Sequence, residues 1–335
     1  MDLSSIAPLS DQFGRVHDYL RISLTEHCNL RCVYCMPEEG IQLRPKSEFM
    51  RTEEVLAIAE TFVKLGVKKI RLTGGEPLVR KDAKEIIEGL SRLPVSLAIS
   101  TNGVLVDKFI DTFKVCNLRS INISLDSLQE ERFNKVTRRN DFQKIRSNID
   151  LLLNEGYHVK LNAVIMKEVN EDEILDFIEF TKDKNIHFRF IEFMPFNGNK
   201  WDWSKGLSFK EMMERIHSAY SDKVIKLEDK KHDTTKAFQI KGYKGTFAVI
   251  SSVTNPFCDT CNRLRLTADG KIKNCLFSNT ETDLLTAFRA GEDITNIIRE
   301  TVWHKKSVRG GMETFEDLSN AELNQQNRNM ISIGG

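Results

Sequence analysis

The sequence predicts an α/β fold, a partial (β/α)6 barrel of the TIM type with a smaller C-terminal domain after it. Three observations carry this prediction. Apolar-alternating segments take turns with segments of helical period from Tyr19 to Pro195, one parity of the strand candidates is polar, and a group of cysteines closes the first strand. Regular strand–helix alternation makes a parallel sheet. Six strands are fewer than a closed barrel of this type uses, so a partial barrel or an open sheet is indicated.

The strand candidates are Arg21–Thr25, Lys69–Thr73, Val95–Asn102, Ser120–Asp126, Val159–Ile165 and Ile186–Met194. Between them lie helix candidates at Thr52–Leu65, Asp82–Leu90, Val106–Phe113, Asp141–Asn154 and Glu171–Lys184. Thr52 is placed to cap its helix, with Glu53 and Glu54 in the first turn, and Gly66 and Gly156 follow helix ends. Side chains alternate faces along a strand. One parity carries Ile70, Leu72, Ile99, Ile121, Ile123 and Leu161, and the other carries Lys69, Arg71, Ser100, Asn122, Lys160 and Arg189. Parallel sheets are normally covered on both faces, so a polar face in one implies a cavity that holds a ligand rather than a solvated surface.

Past Pro195 the pattern changes. A helix candidate at Ser208–Tyr220 and a charged stretch from Lys223 to Lys236 precede strand-like Gly245–Val253 and Arg263–Thr267, and a mostly helical end follows. The expected division is residues 1–220 for the barrel and 221–335 for the C-terminal domain.

Composition excludes several classes. The formal charge of +1 argues against a nucleic-acid partner, because no basic excess is present. No apolar run approaches the roughly 18 residues of a membrane span. Met1 to Ser10 lacks the basic start and apolar stretch of a secretory signal, so a cytoplasmic setting is expected. In that setting cysteines are more often metal ligands or redox groups than disulfides.

Cys28, Cys32 and Cys35 form C-x3-C-x2-C directly after the first strand, and Cys258, Cys261 and Cys275 form C-x2-C-x13-C in the C-terminal part. Cys116 stands alone at a helix end and reads as an inert, partly buried thiol. A structural zinc site is closed by four ligands, whereas three thiolates on a four-iron cluster leave one iron open to a small molecule. The second trio, taken alone, fits either a cluster or a zinc site completed by His232 or His304. The first trio sits where barrels and open sheets place active sites, at the C-terminal end of a strand.

The run from Arg21 through Cys28, Cys32 and Cys35 to Met36, followed by Thr73-Gly74-Gly75-Glu76-Pro77, resembles the signature of radical S-adenosylmethionine enzymes. Lys69-Ile70-Arg71, Ser124-Leu125-Asp126, Arg189 to Met194, the second trio, Arg263-Leu264-Arg265 and the terminal Gly334-Gly335 extend the resemblance. They are similar to the family within it that cyclises GTP to open molybdenum-cofactor biosynthesis, and the likeness runs from about Phe13 to the last residue.

The resemblance implies two [4Fe-4S] clusters, one on each trio, and S-adenosyl-L-methionine lined by Tyr34, Gly75, Ser124 and Met194. It places GTP against Arg21, Lys69, Arg71, Ser100, Lys160 and Arg189, with Arg263, Leu264 and Arg265 beside the second cluster. The family usually has threonine where this chain has Ser100, which keeps the hydroxyl. The implied reaction begins when a 5′-deoxyadenosyl radical takes the ribose 3′ hydrogen, and C3′ then joins C8 of guanine. An electron donor and the next enzyme of the pathway, a cyclic pyranopterin monophosphate synthase, are the implied protein partners; a homodimer stays open. The terminal glycines are expected to reach the active site, against the default of a frayed chain end. Peptide-modifying radical enzymes and a non-catalytic zinc protein are the rival readings. The first generally need more cysteines in their added domain, and the second has no use for the glycine motif.

Overall fold

The computed structural model describes residues 7–37, 39–42, 44–229, 232 and 235–334. The alternation reads off directly: β1 (Tyr19–Ser23), α1 (Thr52–Lys64), β2 (Lys69–Thr73), α2 (Ala83–Ser91), β3 (Ser96–Thr101), α3 (Val106–Val115), β4 (Ser120–Ser124), α4 (Glu130–Thr137), α5 (Phe142–Asn154), β5 (His158–Ile165), α6 (Ile174–Glu179) and β6 (Ile186–Glu192). The chain continues through α7 (Phe209–Tyr220), β7 (Val224–Lys226), β8 (Lys236–Ile240), β9 (Thr246–Ile250), β10 (Arg263–Leu266), β11 (Lys271–Lys273) and β12 (Thr282–Asp283). It ends in short helices α8 (Leu285–Arg289), α9 (Thr295–Trp303), α10 (Phe315–Ser319), α11 (Ala321–Gln326) and α12 (Met330–Ile333).

All strands join one sheet in the order β12-β11-β10-β1-β2-β3-β4-β5-β6-β9-β8-β7. The six consecutive parallel strands are its middle. The C-terminal part adds a parallel strand at each edge, β10 beside β1 and β9 beside β6, and beyond each of these the pairing turns antiparallel.

The two parities separate as expected. Leu20, Ile22, Ile70, Leu72, Ile99, Ile121, Ile123, Leu161, Phe188 and Phe190 face the helices without measurable exposure. Their stripe meets the apolar faces of α1, α2, α3 and α5, which bury Ile58, Phe62, Ile86, Phe113 and Ile149. A satellite cluster of Val253, Phe277, Met312 and Leu318 packs against Cys275 and Met194, under the second cysteine trio.

Several boundaries differ from the sequence reading for local reasons. β1 begins two residues early, at Tyr19, because its pairing with β2 and β10 starts there. Thr52 is not the cap of α1. The helix starts after Arg51, whose backbone N–H donates to Glu54 Oε2 at 2.7 Å, and the Thr52 hydroxyl donates to Asp82 instead. The helix expected over Glu171–Lys184 is a 3-10 turn at Glu171–Glu173 followed by the short α6, in which Ile174, Phe177 and Ile178 alone fill the buried side. The sequence reading missed α4, whose charged sequence buries little beyond Phe133 and Val136. It also missed β7, inside the charged stretch, and β8, which starts at the last residue of that stretch; the two form a hairpin at the sheet edge. Gly66 and Gly156 do end their helices, with φ of +99° and +71°.

Candidate functional site

The polar parity encloses a cavity of about 530 Å³ at the concave side of the sheet, a size suited to small-molecule ligands. Both cysteine trios open onto it. They do so from opposite ends of the strands. Cys28, Cys32 and Cys35 follow the C-terminal end of β1, whereas Cys261 lies two residues before β10, which runs parallel to β1, and Cys275 two residues after the antiparallel β11. Cys116, by contrast, is buried at the end of α3 within the main core.

The first trio is built against the glycine motif. Gly75 N–H donates to Thr25 O at 2.7 Å and Glu76 N–H to His27 O at 2.8 Å, so the two loops run back to back. A Cβ at Gly75 would stand 2.3 Å from His27 O, and one at Gly74, whose φ is +145°, 2.6 Å from Thr25 O. These glycines therefore serve loop-to-loop packing as well as any ligand.

Glu76 is fully buried and accepts from Leu78 N–H, the Thr101 hydroxyl at 2.8 Å and Asn102 N–H at 2.6 Å. Burial nevertheless pushes its carboxyl up to about 7. Asp126 accepts from the Tyr34 hydroxyl at 2.7 Å and from Val164 N–H, and burial raises it to about 6. Burial first, then these carboxylates and the neighbouring thiols, hold the first trio in the neutral form, with Cys28 up to about 11 and Cys35 up to about 12. Among the described residues no three or more His, Cys, Asp or Glu side chains converge as they would on a single ion. A four-iron cube takes its thiolates at separate corners instead of converging them on one atom.

The floor between the trios is basic, and strand register makes it so. Arg265, Arg21 and Arg71 are direct neighbours across β10, β1 and β2, and Arg263, Tyr19 and Lys69 form the row beside them. On the far strands Lys160 pairs with His187, and Asn162 with Arg189. Arg71 donates from Nε to the Tyr19 hydroxyl at 2.6 Å and from Nη1 to Ile99 O, and Arg189 Nε donates to Asn162 Oδ1 at 2.8 Å.

Like charges directly opposite one another are destabilising, and burial adds to the cost. The site responds accordingly. Burial, then Arg189, Lys69 and Arg71, bring Lys160 down to about 8; burial and then Arg71 bring Arg189 to about 9. Burial and then Arg263 bring Arg265 to about 10. His187 falls to about 3 through burial and then Arg189, so it stays neutral and pairs with the Thr246 hydroxyl at 2.7 Å.

Every position expected at the site lines this cavity except Leu264. Leu264 points to the other face and is fully buried in the main core, as its parity requires, so its side chain does not reach a ligand. Met194 does line the cavity although it is five residues from Arg189. β6 has ended at Glu192, so strict alternation no longer binds it. His304 is exposed after α9, and His232 Nδ1 meets Thr260 O at 2.8 Å between two of the cysteines.

The segment at residues 329–334 is anchored in the site. Asn329 caps α12, Ile331 and Ile333 are buried, and Gly334 O accepts from Arg265 Nη1 at 2.8 Å. A Cβ on Gly334 would lie 2.5 Å from Thr73 Oγ1 and 3.3 Å from Gly74 N. Arg328 clamps this segment by bidentate pairs to Asp269 and Glu281. Gly335 lies outside the described residues.

Sequence reasoning missed Tyr19, Lys305 and Arg309, whereas Asn102 and Asn162 share the polar parity of Ser100 and Lys160 and line the cavity with them. Tyr19 shares the parity of Arg21 and was lost only because β1 was started late. Lys305 and Arg309 carry no local signal, yet Lys305 Nζ donates to Cys261 Sγ at 3.5 Å and Arg309 N–H to Cys258 Sγ at 3.4 Å. Burial would raise the Cys261 thiol, but Lys305 and Arg263 overcome it and bring it down to about 6.

Comparison with known proteins agrees with this geometry. Residues 22–181 match the profile of the Radical SAM superfamily, and residues 186–310 that of Molybdenum Cofactor Synthesis C. The chain is 46% identical over 333 residues to GTP 3′,8-cyclase, mitochondrial, of Arabidopsis thaliana, covering 98% of this chain and 83% of that one. It is 42% identical to GTP 3′,8-cyclase of Listeria monocytogenes, covering 89% of this chain and 90% of that one. The chain belongs to the GTP 3′,8-cyclase family.

As a member of that family it is a radical S-adenosylmethionine protein, and the superfamily carries a [4Fe-4S] cluster with S-adenosylmethionine. It is also 47% identical to molybdenum cofactor biosynthesis protein 1 of Drosophila melanogaster, but spans about half of that relative's length (54%). Among solved structures, Streptococcus suis SuiB superposes with a TM-score of 0.60 at 17% identity, covering 84% of this chain and 65% of that one, a likeness of fold alone. No helix among the described residues is long and apolar enough to cross a membrane.

Proposed function

We propose that the protein is a GTP 3′,8-cyclase, which joins ribose C3′ to guanine C8 to give (8S)-3′,8-cyclo-7,8-dihydroguanosine 5′-triphosphate. The observation that carries this reading is the row Arg265–Arg21–Arg71, set across three adjacent strands between two cysteine trios. Three neighbouring guanidiniums are costly alone and become favourable against a polyanion, whose oxygens the planar forks bind in pairs. A triphosphate held there lies between the two ends of the strands. A peptide substrate would have no use for such a row.

A cluster held by Cys28, Cys32 and Cys35, with S-adenosylmethionine, would supply the 5′-deoxyadenosyl radical needed to abstract hydrogen from the ribose. The fit to that cofactor rests on the donors present: an open trio, backbone of the Gly74-Gly75 turn, and Tyr34, Ser124 and Met194 on the same wall. Lys69, Ser100, Lys160 and Arg189 complete the GTP wall, and the second trio takes an auxiliary [4Fe-4S] cluster beside Arg263. The chain's own groups bind, orient and exclude water, as radical chemistry demands. Asp126 fixes the Tyr34 hydroxyl, and Gly334 O holds the Arg265 guanidinium at the cavity wall.

An electron donor is required, and product passes to the next enzyme of the pathway. Free thiols at both sites suit a reducing compartment such as the cytoplasm, although the Arabidopsis relative is named as mitochondrial.

The test is anaerobic. Reconstituted protein should hold about eight irons per chain, and with GTP, S-adenosylmethionine and a reductant it should release 5′-deoxyadenosine in a GTP-dependent manner. Release that ignores GTP would overturn the substrate.

A further inference from the structure

The two trios differ in what reaches their sulfurs. At the second, Lys305 follows the C-terminal end of α9, where helix carbonyls favour a cation. The residue is 2% exposed, and its Nζ donates to Cys261 Sγ at 3.5 Å and to Arg263 O at 2.9 Å, so the ammonium is held from two sides. The helix that delivers it is tied to the other arm of the trio, because Asn274 Nδ2 donates to Thr301 O at 2.8 Å beside Cys275. Arg15 completes the frame, donating to Cys258 O, Ser307 O and Lys306 O. Arg309 N–H reaches Cys258 Sγ at 3.4 Å while its guanidinium turns to the carbonyls of Val253, Met312 and Glu313.

At the first trio the sulfur contacts are all neutral: Asn102 Nδ2 to Cys28 Sγ at 3.8 Å, the Leu30 N–H to Cys28 and the Tyr34 side chain to Cys32. Arg31 stands near, but its guanidinium is spent on the carbonyls of Cys28 and Leu30. The ionisable groups buried against this loop, Glu76 and Asp126, are acids and bring no positive charge to its sulfurs.

Cluster potentials respond to hydrogen bonds at sulfur, to net charge and to burial. Reduction adds one negative charge to a cluster. A buried cation within contact of a ligand sulfur stabilises the reduced form, because the interior screens the pair poorly. A neutral hydrogen-bond donor gives less of this stabilisation than a cation does.

We propose that Lys305 is the charge-compensating partner of the auxiliary cluster, raising its reduction potential above that of the cluster on Cys28, Cys32 and Cys35. The first electron given by an external low-potential reductant then settles at the auxiliary site, and the radical-forming cluster is the second to be reduced. This inference rests on the two-cluster reading above. Lys305 acts through Cys261 and is a positioning residue for charge.

The experiment uses the full-length chain, reconstituted anaerobically. Iron and sulfide are counted first. About eight irons per chain uphold the two-cluster reading; about four would overturn that reading and this inference with it.

Two triple variants then isolate each cluster, Cys28→Ser/Cys32→Ser/Cys35→Ser leaving the auxiliary one and Cys258→Ser/Cys261→Ser/Cys275→Ser leaving the other. Each is titrated potentiometrically with dithionite without S-adenosylmethionine and read by paramagnetic resonance. With Lys305 intact, the auxiliary cluster should be the more easily reduced by about tenfold in equilibrium constant, or about 59 mV for one electron.

In the background that keeps the auxiliary cluster, Lys305→Met should lower its potential by a similar factor and Lys305→Arg should restore it. In the other background Lys305→Met should change nothing. Equal or inverted potentials in the two triple variants would overturn the proposal, and so would an arginine variant that falls as far as the methionine one. Should Lys305→Met fail to hold its cluster, the comparison between the two triple variants with Lys305 in place decides.

Discussion

Along β1 to β6 the outward side chains are branched aliphatics and phenylalanines with almost no exposure, whereas the inward ones are arginine, lysine, asparagine and serine. The same strands carry both sets, one residue apart. The outward set gains from burial whatever the cavity holds. The inward set places Arg265, Arg21 and Arg71 side by side, where like charges oppose one another. Stability and function are thus assigned to opposite parities of one sheet, and substitutions on the two faces should separate cleanly.

The largest effect is expected on the outward face. Phe188 is fully buried and stacks on Phe177 with ring centroids 4.4 Å apart. Phe188→Ala should cost about 3–5 kcal/mol in urea unfolding of the reconstituted protein, with GTP affinity of the folded fraction unchanged. A large affinity loss there would show that the faces are not independent.

Next comes the inward face. Arg189→Met should weaken GTP binding by about 2–3 kcal/mol, or roughly 30- to 150-fold by calorimetry, while the melting temperature of the ligand-free protein holds or rises. A lower melting temperature would break the comparison.

A smaller effect is expected where the tail meets the inward face. Gly334 has φ of +81°, and a Cβ there crowds Thr73 Oγ1. Gly334→Ala should cost about 1 kcal/mol, read as faster hydrogen exchange at residues 330–334 and weaker binding of S-adenosylmethionine.

The smallest is a pH effect. Lys160 in the fold is lowered to about 8 by burial and then by Arg189, Lys69 and Arg71. Below that pH both folded and unfolded chains hold its proton and the burden is fully felt. As pH rises from about 8 toward the ordinary lysine value, the unfolded chain holds the proton more tightly, so the ligand-free protein gains stability. GTP binding moves the other way and weakens from pH 7 to 9 as the ammonium is lost. Lys160→Met should flatten both trends.

Much of this was legible in the sequence. The parity of Lys69, Arg71, Lys160 and Arg189 marked the inward face, since alternation along a strand is local geometry. The cysteine spacing and the glycine motif marked the first site for the same reason. The opposite parity of Leu264 to its arginine neighbours was legible as well, and it sends the side chain into the core. Two things were not legible. Tyr19 fell outside β1 because a strand's first residue is set by its partners. Lys305 and Arg309 act on cysteines more than 40 residues earlier in the chain, and only packing of the segment after α9 brings them there.

The sequence by itself determined what each strand shows to either side and which thiols are spaced to share a metal group, because both depend on residues a few positions apart. Tertiary structure alone decided that the two trios face one cavity from opposite ends of the strands, that three arginines stand abreast, and that the chain end is tied to Arg265. Those are matters of strand order and register. They arise from pairings between segments up to hundreds of residues apart, whose sequences carry no local record of one another.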